Sequence, residues 1–322
     1  MPNQNAPISI HWFRRDLRLT DNTSLNEALR RDHSVLCLFI FDADILSSLP
    51  EDDARVTYIH GALSDMNDEL KEYNSSLLVK HGKPIEVWRS LIEEYNIVSV
   101  DTNEDYEPYA LDRDAEVQKL LENNGVEFQL HTDHVIYKPG TVLKDDGDPY
   151  TVYTPFKKKL LAYGKEHGIP EPQRRSPANF VNIDLELPTL EAIGFRQSPI
   201  DVPRFAPEYI DDYDKQRDDP AGQMTTYAGT HLRFGTLSIR EAVDMAKGRN
   251  ETYLSELIWR EFFIQILHHF PHVVSNNFRS KYDAIEWRNN EEEFKLWCAG
   301  KTGYPLVDAG MRQLNETGYM HN

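Results

Sequence analysis

Three stretches carry residue types that could do chemistry. In "YLSELIWREFFIQILHHF" (253–270), Glu256 and Trp259 stand three apart, so a helix makes them neighbours on one face. A carboxylate beside an indole can hydrogen-bond a base edge while the ring stacks on a base. The same pair also suits a surface glutamate next to a core tryptophan. Positions 254, 257, 258, 262, 263, 266 and 267 form an apolar stripe, which leaves Glu256, Trp259, Arg260 and Glu261 to other faces. In "MTTYAGTHLRFGTLSIREAV" (224–243), Thr225 and Thr226 place hydroxyls in a turn ahead of a helix. Hydroxyls and free backbone N–H groups at a helix start suit a phosphate, although a plain helical corner reads the same way. Ser238 and Glu241 form a capping box, so a further helix starts there. In "HWFRRDLRLTDNTSL" (11–25), arginines and aspartates crowd one loop, the composition of structural ion pairs and a helix cap at Asp21, Asn22 or Ser24. "HHFPH" (268–272) is not read as a metal site, because Pro271 breaks the helical phase of His268 and His272 and no acid or cysteine is spaced to help.

The elements that must hold these residues alternate over the first 136 positions. Strand runs at 8–13, 34–42, 75–82, 96–103 and 126–136 are separated by helical patterns, among them 54–73, 84–94 and 112–124. "SVLCLFIFD" (34–42) is continuously apolar, as a strand buried on both faces must be. Such alternation predicts a doubly wound, mainly parallel α/β sheet with right-handed crossovers. No G-x-G-x-x-G follows the first strand, so the sheet is Rossmann-like without a nicotinamide fingerprint. Residues 137–205 are rich in turns and proline and read as an interdomain connector. From 206 to 322 the pattern is helical throughout, giving a second, all-helical domain.

The 322 residues suffice for two domains, and their net charge of −18 opposes a nonspecific nucleic-acid binder, whose affinity comes from neutralising phosphates. DNA binding by such a chain needs a local basic patch and weakens steeply with salt. No run approaches the ~20 apolar residues of a membrane span, and the first residues lack the basic and apolar regions of a signal peptide. Cys37 and Cys298 lie far apart and read as free thiols. A cytoplasmic monomer that uses neither membrane nor metal is the expectation.

Taken in order, the motifs resemble the DNA photolyase/cryptochrome family, in its class I branch of cyclobutane pyrimidine dimer photolyases. "IHWFRRDLRLTDN" is similar to the family's opening, "YDKQRDDP…TTYAGTHLRFGTLSIRE" to its flavin-phosphate loop, "SELIWREFF" to its substrate-facing helix, and "GKTGYPLVDAGMRQLNETGYMHN" to the helix beneath the flavin. The resemblance implies an α/β antenna domain (1–136) and the N-terminal part of a helical domain (206–322) that binds FAD. It implies light-driven repair of pyrimidine dimers in DNA by an electron from reduced flavin, or blue-light reception as in cryptochromes. By position it implies Glu256, Trp259 and Asn322 as catalytic. It implies Tyr213, Thr225, Thr226, Tyr227, Ala228, Gly229, Tyr253, Glu256, Arg260, Tyr319 and Asn322 as flavin contacts. Glu256, Trp259, Arg260, Glu261, Phe262 and Phe263 become DNA contacts, and Trp287 the outermost tryptophan of an electron chain. The phosphate loop departs from the family's Thr-Ser-x-Leu-Ser, its last hydroxyl replaced by Gly229 unless Thr230 substitutes. Tyr109 and Ala110 replace the Asn-Glu of folate-binding members, so a deazaflavin antenna, or none, is expected before methenyltetrahydrofolate. The family's helical domain continues past "MHN", so the chain reads as a fragment without stable flavin or as part of a longer parent.

Overall fold

The computed structural model describes residues 6–222 and 224–321. Five strands, β1 (Ile8–Phe13), β2 (Ser34–Asp42), β3 (Leu78–Gly82), β4 (Ile97–Asn103) and β5 (Glu127–His131), form one sheet in the order β3-β2-β1-β4-β5. Every pairing is parallel. Helices α1 (Thr23–Leu29), α2 (Ala43–Leu46), α3 (Ala54–Lys71), α4 (Pro84–Glu94) and α5 (Pro108–Asn123) make the crossovers. Parallel strands must be covered on both faces, and two separate apolar clusters do this. Phe13, Cys37, Phe39 and Phe41 pack on α1 and α3, whereas Ile10, Trp12, Leu36 and Leu38 pack with Trp88, Leu91 and Leu121 of α4 and α5. Successive β-residues point to opposite faces, so one continuous apolar run feeds both clusters. The doubly wound expectation therefore holds.

Residues 137–205 contribute to both halves of the molecule. Helix α6 (Tyr153–His167) buries Phe156 and Leu160 in a third, helical cluster. The chain then returns to the sheet: Val35 N donates to Asn179 O at 2.7 Å, Val181 N donates to Val35 O at 2.9 Å, and Leu190, Ile193 and Phe195 join the first cluster. Apolar residues scattered among prolines show no period, so their burial is invisible locally.

The helical part contains α7 (Tyr213–Gln216), α8 (Ala228–Phe234), α9 (Ile239–Ala246), α10 (Glu251–His269), α11 (Glu291–Cys298) and α12 (Pro305–Thr317). Ser238 caps α9 as its sequence pattern predicts. Sheet and helices are joined through the arginine-rich loop after β1. Arg240 Nε donates to Asp21 Oδ1 at 2.8 Å and its Nη2 to Asp133 Oδ1 at 2.6 Å; Arg18 pairs with Asp133 and donates to Gly235 O at 3.0 Å. All four charged side chains are buried. Asn22 caps α1 by accepting from Leu25 N at 3.1 Å.

Gly235 permits the closest approach at this junction. Its φ is +72°, and a Cβ there would lie 2.2 Å from Arg15 O. Gly235→Ala should cost about 2–5 kcal/mol, the sum of left-handed strain and backbone overpacking. Urea unfolding checks this; a loss below about 1 kcal/mol would show that the junction yields.

Candidate functional site

Helix α10 carries the central side chains. It starts at Asn250, whose Oδ1 accepts from Thr252 N at 3.1 Å and Tyr253 N at 3.0 Å. Leu254, Leu257, Ile258 and Phe262 anchor it in the helical cluster. Glu256, Trp259 and Phe263 follow one another at helical spacing on the remaining surface. Trp259 stacks on Tyr153 of α6 with ring centroids 3.5 Å apart and 8° between planes, and Phe263 lies 5.6 Å from Trp259 at 22°. Phe263 is 62% exposed, so it ends this aromatic ladder at solvent although its spacing read as core.

A chain of hydrogen bonds and ring contacts leads from Glu256 to the threonine turn. Glu256 Oε1 accepts from Arg217 Nη1 at 2.5 Å, and Arg217 stands 5.6 Å from the Tyr213 ring centroid. The Glu256 hydrogen bond raises Arg217 above its ordinary pKa. Tyr213 meets Tyr253 edge-on at 5.1 Å, and the Tyr253 hydroxyl lies 3.1 Å from Thr226 Oγ1. Burial pushes the Tyr253 phenol up. Tyr227 holds a left-handed backbone, φ 53°, ahead of Ala228 and Gly229, and no side chain caps α8. Tyr227 and Tyr319 rings meet edge-on at 5.1 Å, and Thr225 hydrogen-bonds Tyr319. Tyr213, Arg217, Thr225, Gln313, Tyr319 and His321 line a cleft of about 70 Å³. That is far below the roughly 300–1,000 Å³ that encloses a whole organic ligand, so the described residues supply one wall of a site.

Three expected contacts are placed elsewhere. Glu261 is fully buried and accepts from Ile136 N at 2.9 Å and Tyr137 N at 3.1 Å, so it ties the chain after β5 to α10 and has no oxygen free for DNA. Burial pushes its carboxyl up to about 7 despite those two donors. Phe262 is buried in the helical cluster, which removes it from a DNA surface. Arg260 turns inward and donates to His134 O at 2.7 Å and Leu232 O at 3.4 Å; burial pulls it down to about 10. Trp287 is 72% exposed. Asn322 lies outside the described residues. Among the described residues no cluster of His, Cys, Asp or Glu could hold a metal, and no helix is long and apolar enough to cross a membrane.

Sequence reasoning missed Arg217 and Tyr153. Arg217 sits four residues after Tyr213, a spacing that could have flagged it. Tyr153 offered no local signal. It also missed a cavity of about 780 Å³ outside the carboxyl ends of β1 and β2, next to the reversal of strand order between β1 and β4. Such a crevice is where open α/β sheets bind ligands. Trp12 lies in its wall with the guanidiniums of Arg14 and Arg113 at 5.2 and 5.0 Å from its ring centroid, and the Tyr109 hydroxyl donates to Asp42 Oδ2 at 2.7 Å. Tyr227 and Tyr319 close the helical side.

The sequence pattern of the family described as DNA photolyase matches residues 9–174, and that described as the FAD binding domain of DNA photolyase matches residues 253–322. A deoxyribodipyrimidine photo-lyase of Synechococcus sp. is 35% identical over 98% of this chain and 72% of its own length. The crystal structure of an archaeal photolyase from Sulfolobus tokodaii with two FAD molecules superposes with a TM-score of 0.84 at 33% identity, covering 98% of this chain and 72% of that one. Cryptochrome-2 of Gallus gallus is 28% identical over 98% of this chain and 60% of its own length.

Proposed function

We propose, for a chain that belongs to the DNA photolyase family, flavin-dependent, light-driven repair of cyclobutane pyrimidine dimers in DNA. The observation that carries this reading is the chain of hydrogen bonds and ring contacts from Thr226 through Tyr253, Tyr213 and Arg217 to Glu256, ending beside the aromatic ladder of α10. It joins a phosphate-type turn to a carboxylate and rings suited to a base, which is what a site for both a dinucleotide and a damaged base requires.

The donor set fits FAD. Thr225, Thr226 and the uncapped N–H groups of Ala228 and Gly229 would hold phosphate, and Tyr213, Tyr227, Tyr253 and Tyr319 would flank the cofactor. When bound and reduced, FAD supplies the light-excited electron that opens the cyclobutane ring. The chain's own residues do the rest. A dimer is weakly stacked and leaves the duplex at least cost. Glu256 accepts a hydrogen bond from its base edge, with Arg217 holding the carboxylate in position. Trp259 and Phe263 cover a base face. Arg260 acts from behind α10 by bracing it against the carbonyls of His134 and Leu232. Trp287, at the surface, is the outer end of an electron route to the flavin, and Asn322, outside the described residues, is a further flavin contact by its place in the closing sequence motif alone.

In this reading residues 1–136 are the antenna domain, 137–205 the connector and 206–322 part of the flavin domain. The 780 Å³ cavity is the place for a second chromophore with a ring system, a deazaflavin or flavin before a folate. The net charge of −18 and the likeness to a cryptochrome favour a second reading, a blue-light receptor with little repair. Glu256 and Trp259 together favour repair. The deciding experiment is the visible spectrum and flavin-to-protein ratio of the purified chain, followed by blue-light treatment of a dimer-containing oligonucleotide. Near-stoichiometric flavin with light-dependent dimer loss is expected. Bound flavin without dimer loss would establish the receptor reading, and absence of flavin would overturn both for this chain.

A further inference from the structure

Helix α6 is fastened to α10 at Ser255. Tyr153 and Lys157 stand one turn apart on α6, and both reach that residue. The Tyr153 hydroxyl donates to Ser255 O at 2.7 Å, and Lys157 Nζ donates to Ser255 Oγ at 2.5 Å. Ser255 Oγ donates onward to Glu251 O at 2.7 Å. The same face of α6 sends Phe156 and Leu160 into the helical cluster, so the Tyr153 ring is held at its backbone and at its hydroxyl. That ring lies on Trp259 almost without offset, since 3.5 Å between centroids at 8° is itself a carbon–carbon contact distance. Left to themselves, aromatic rings prefer an offset or edge-on arrangement, so the surroundings impose this one. Phe262 contributes by meeting both rings near edge-on, at 5.9 Å from Tyr153 and 5.8 Å from Trp259.

One face of Trp259 is therefore closed to a base. The other ring nearly parallel to Trp259 is Phe263, which is exposed and has no polar atom to tether it. Exposed side chains change rotamer quickly, so Phe263 yields to an arriving base whereas Tyr153 does not. Burial pushes the Tyr153 phenol up to about 12 and the Glu256 carboxylate adds to the rise, so the covering ring and that carboxylate sense one another. We propose that Tyr153 is a positioning residue for the substrate. It is a fixed backing ring that holds the Trp259 plane at a set place relative to Glu256, so that a base enters from the Phe263 side onto a surface already ordered. This deepens the repair reading and rests on it. A tryptophan free to turn would be ordered only on docking, and that ordering subtracts from affinity.

The test is binding in the dark by the full chain, followed by fluorescence anisotropy of a labelled oligonucleotide with a pyrimidine dimer and of the same oligonucleotide undamaged. Tyr153→Leu and Tyr153→Met fill the space without a flat face. Both should weaken dimer binding about 3–10-fold, the cost of ordering one large side chain, with undamaged DNA and the flavin-to-protein ratio unchanged. Tyr153→Phe keeps the ring and should restore most of the affinity. In a Trp259→Ala background Tyr153→Leu should cost nothing more, because no ring is left to position. Tyr153 is half-buried, and the buried side chains that α6 gives the helical cluster are Phe156 and Leu160, so these variants keep the fold. A loss of the same size in the Trp259→Ala background, or one shared by undamaged DNA, would show that Tyr153 merely packs α6 on α10 and would overturn the proposal. Dimer preference untouched by Tyr153→Leu would overturn it too and leave the repair reading standing. No preference for the dimer in the wild type would overturn both.

Discussion

Replacing Arg240 with methionine should lower the unfolding free energy by about 3–5 kcal/mol, the cost of stripping the partner from buried charges. Arg240 is 5% exposed and serves Asp21 and Asp133 together, so methionine fills its volume but leaves two buried carboxylates short of a cation. Arg18 still faces Asp133, which keeps the loss finite. The same junction makes a pH prediction. Burial would raise the Asp133 carboxyl, but the Arg18 and Arg240 guanidiniums outweigh it and hold the group well below the usual carboxylate range. A carboxyl depressed in the folded state stabilises above its unfolded pKa, about 3.9, and this contribution fades as pH falls from about 5 toward the folded value. Urea midpoints measured from pH 7 down to pH 3 should therefore fall less steeply for Arg240→Met than for the wild type. Parallel curves with a loss under about 1 kcal/mol would mean that water reaches these groups and that the junction does not hold sheet and helices together.

The second large effect concerns Glu256. Glu256→Ala should reduce repair per absorbed photon by about 10–100-fold, the range of a hydrogen bond to a charged acceptor. Flavin content should stay unchanged, because no other described hydrogen bond depends on the Glu256 carboxylate besides that of Arg217. Arg217 is the informative partner. If Glu256 serves only to pair with it, Arg217→Gln should reproduce the whole loss. If Glu256 touches the base, Arg217→Gln should cost less, since the carboxylate remains. Repair unchanged in Glu256→Ala would remove the residue from the mechanism and favour the receptor reading.

How legible each part was follows from the range of the interactions involved. β2 was visible because a strand covered on both faces must be apolar at nearly every position, and the seven successive residues Val35 to Phe41 say so. The start of α9 was visible because Ser238 caps the backbone two residues on. The cap of α1 was readable only as one of Asp21, Asn22 and Ser24, and the structure selects Asn22. Glu256 and Trp259 could be paired because helical spacing alone brings i and i+3 together.

Glu261 was read wrongly for a physical reason. A glutamate belongs at the surface unless it is compensated, and its two compensating N–H groups come from Ile136 and Tyr137, over 120 residues away. The exposure of Phe263 and the burial of Phe262 depend on where α6 packs, and α6 gave no strong periodic signal. The sequence by itself determined the alternation of buried strands and helices, the caps, and which residue types stand together on one turn of α10, since these depend on contacts within a few residues. Only the tertiary structure decided that Arg217 meets Glu256, that Tyr153 covers Trp259, and that Arg15, Glu107 and Arg233 converge in the wall of the sheet-edge cavity. Those contacts join segments 39 to 126 residues apart, and their placement is set by how the sheet and helices pack as whole bodies.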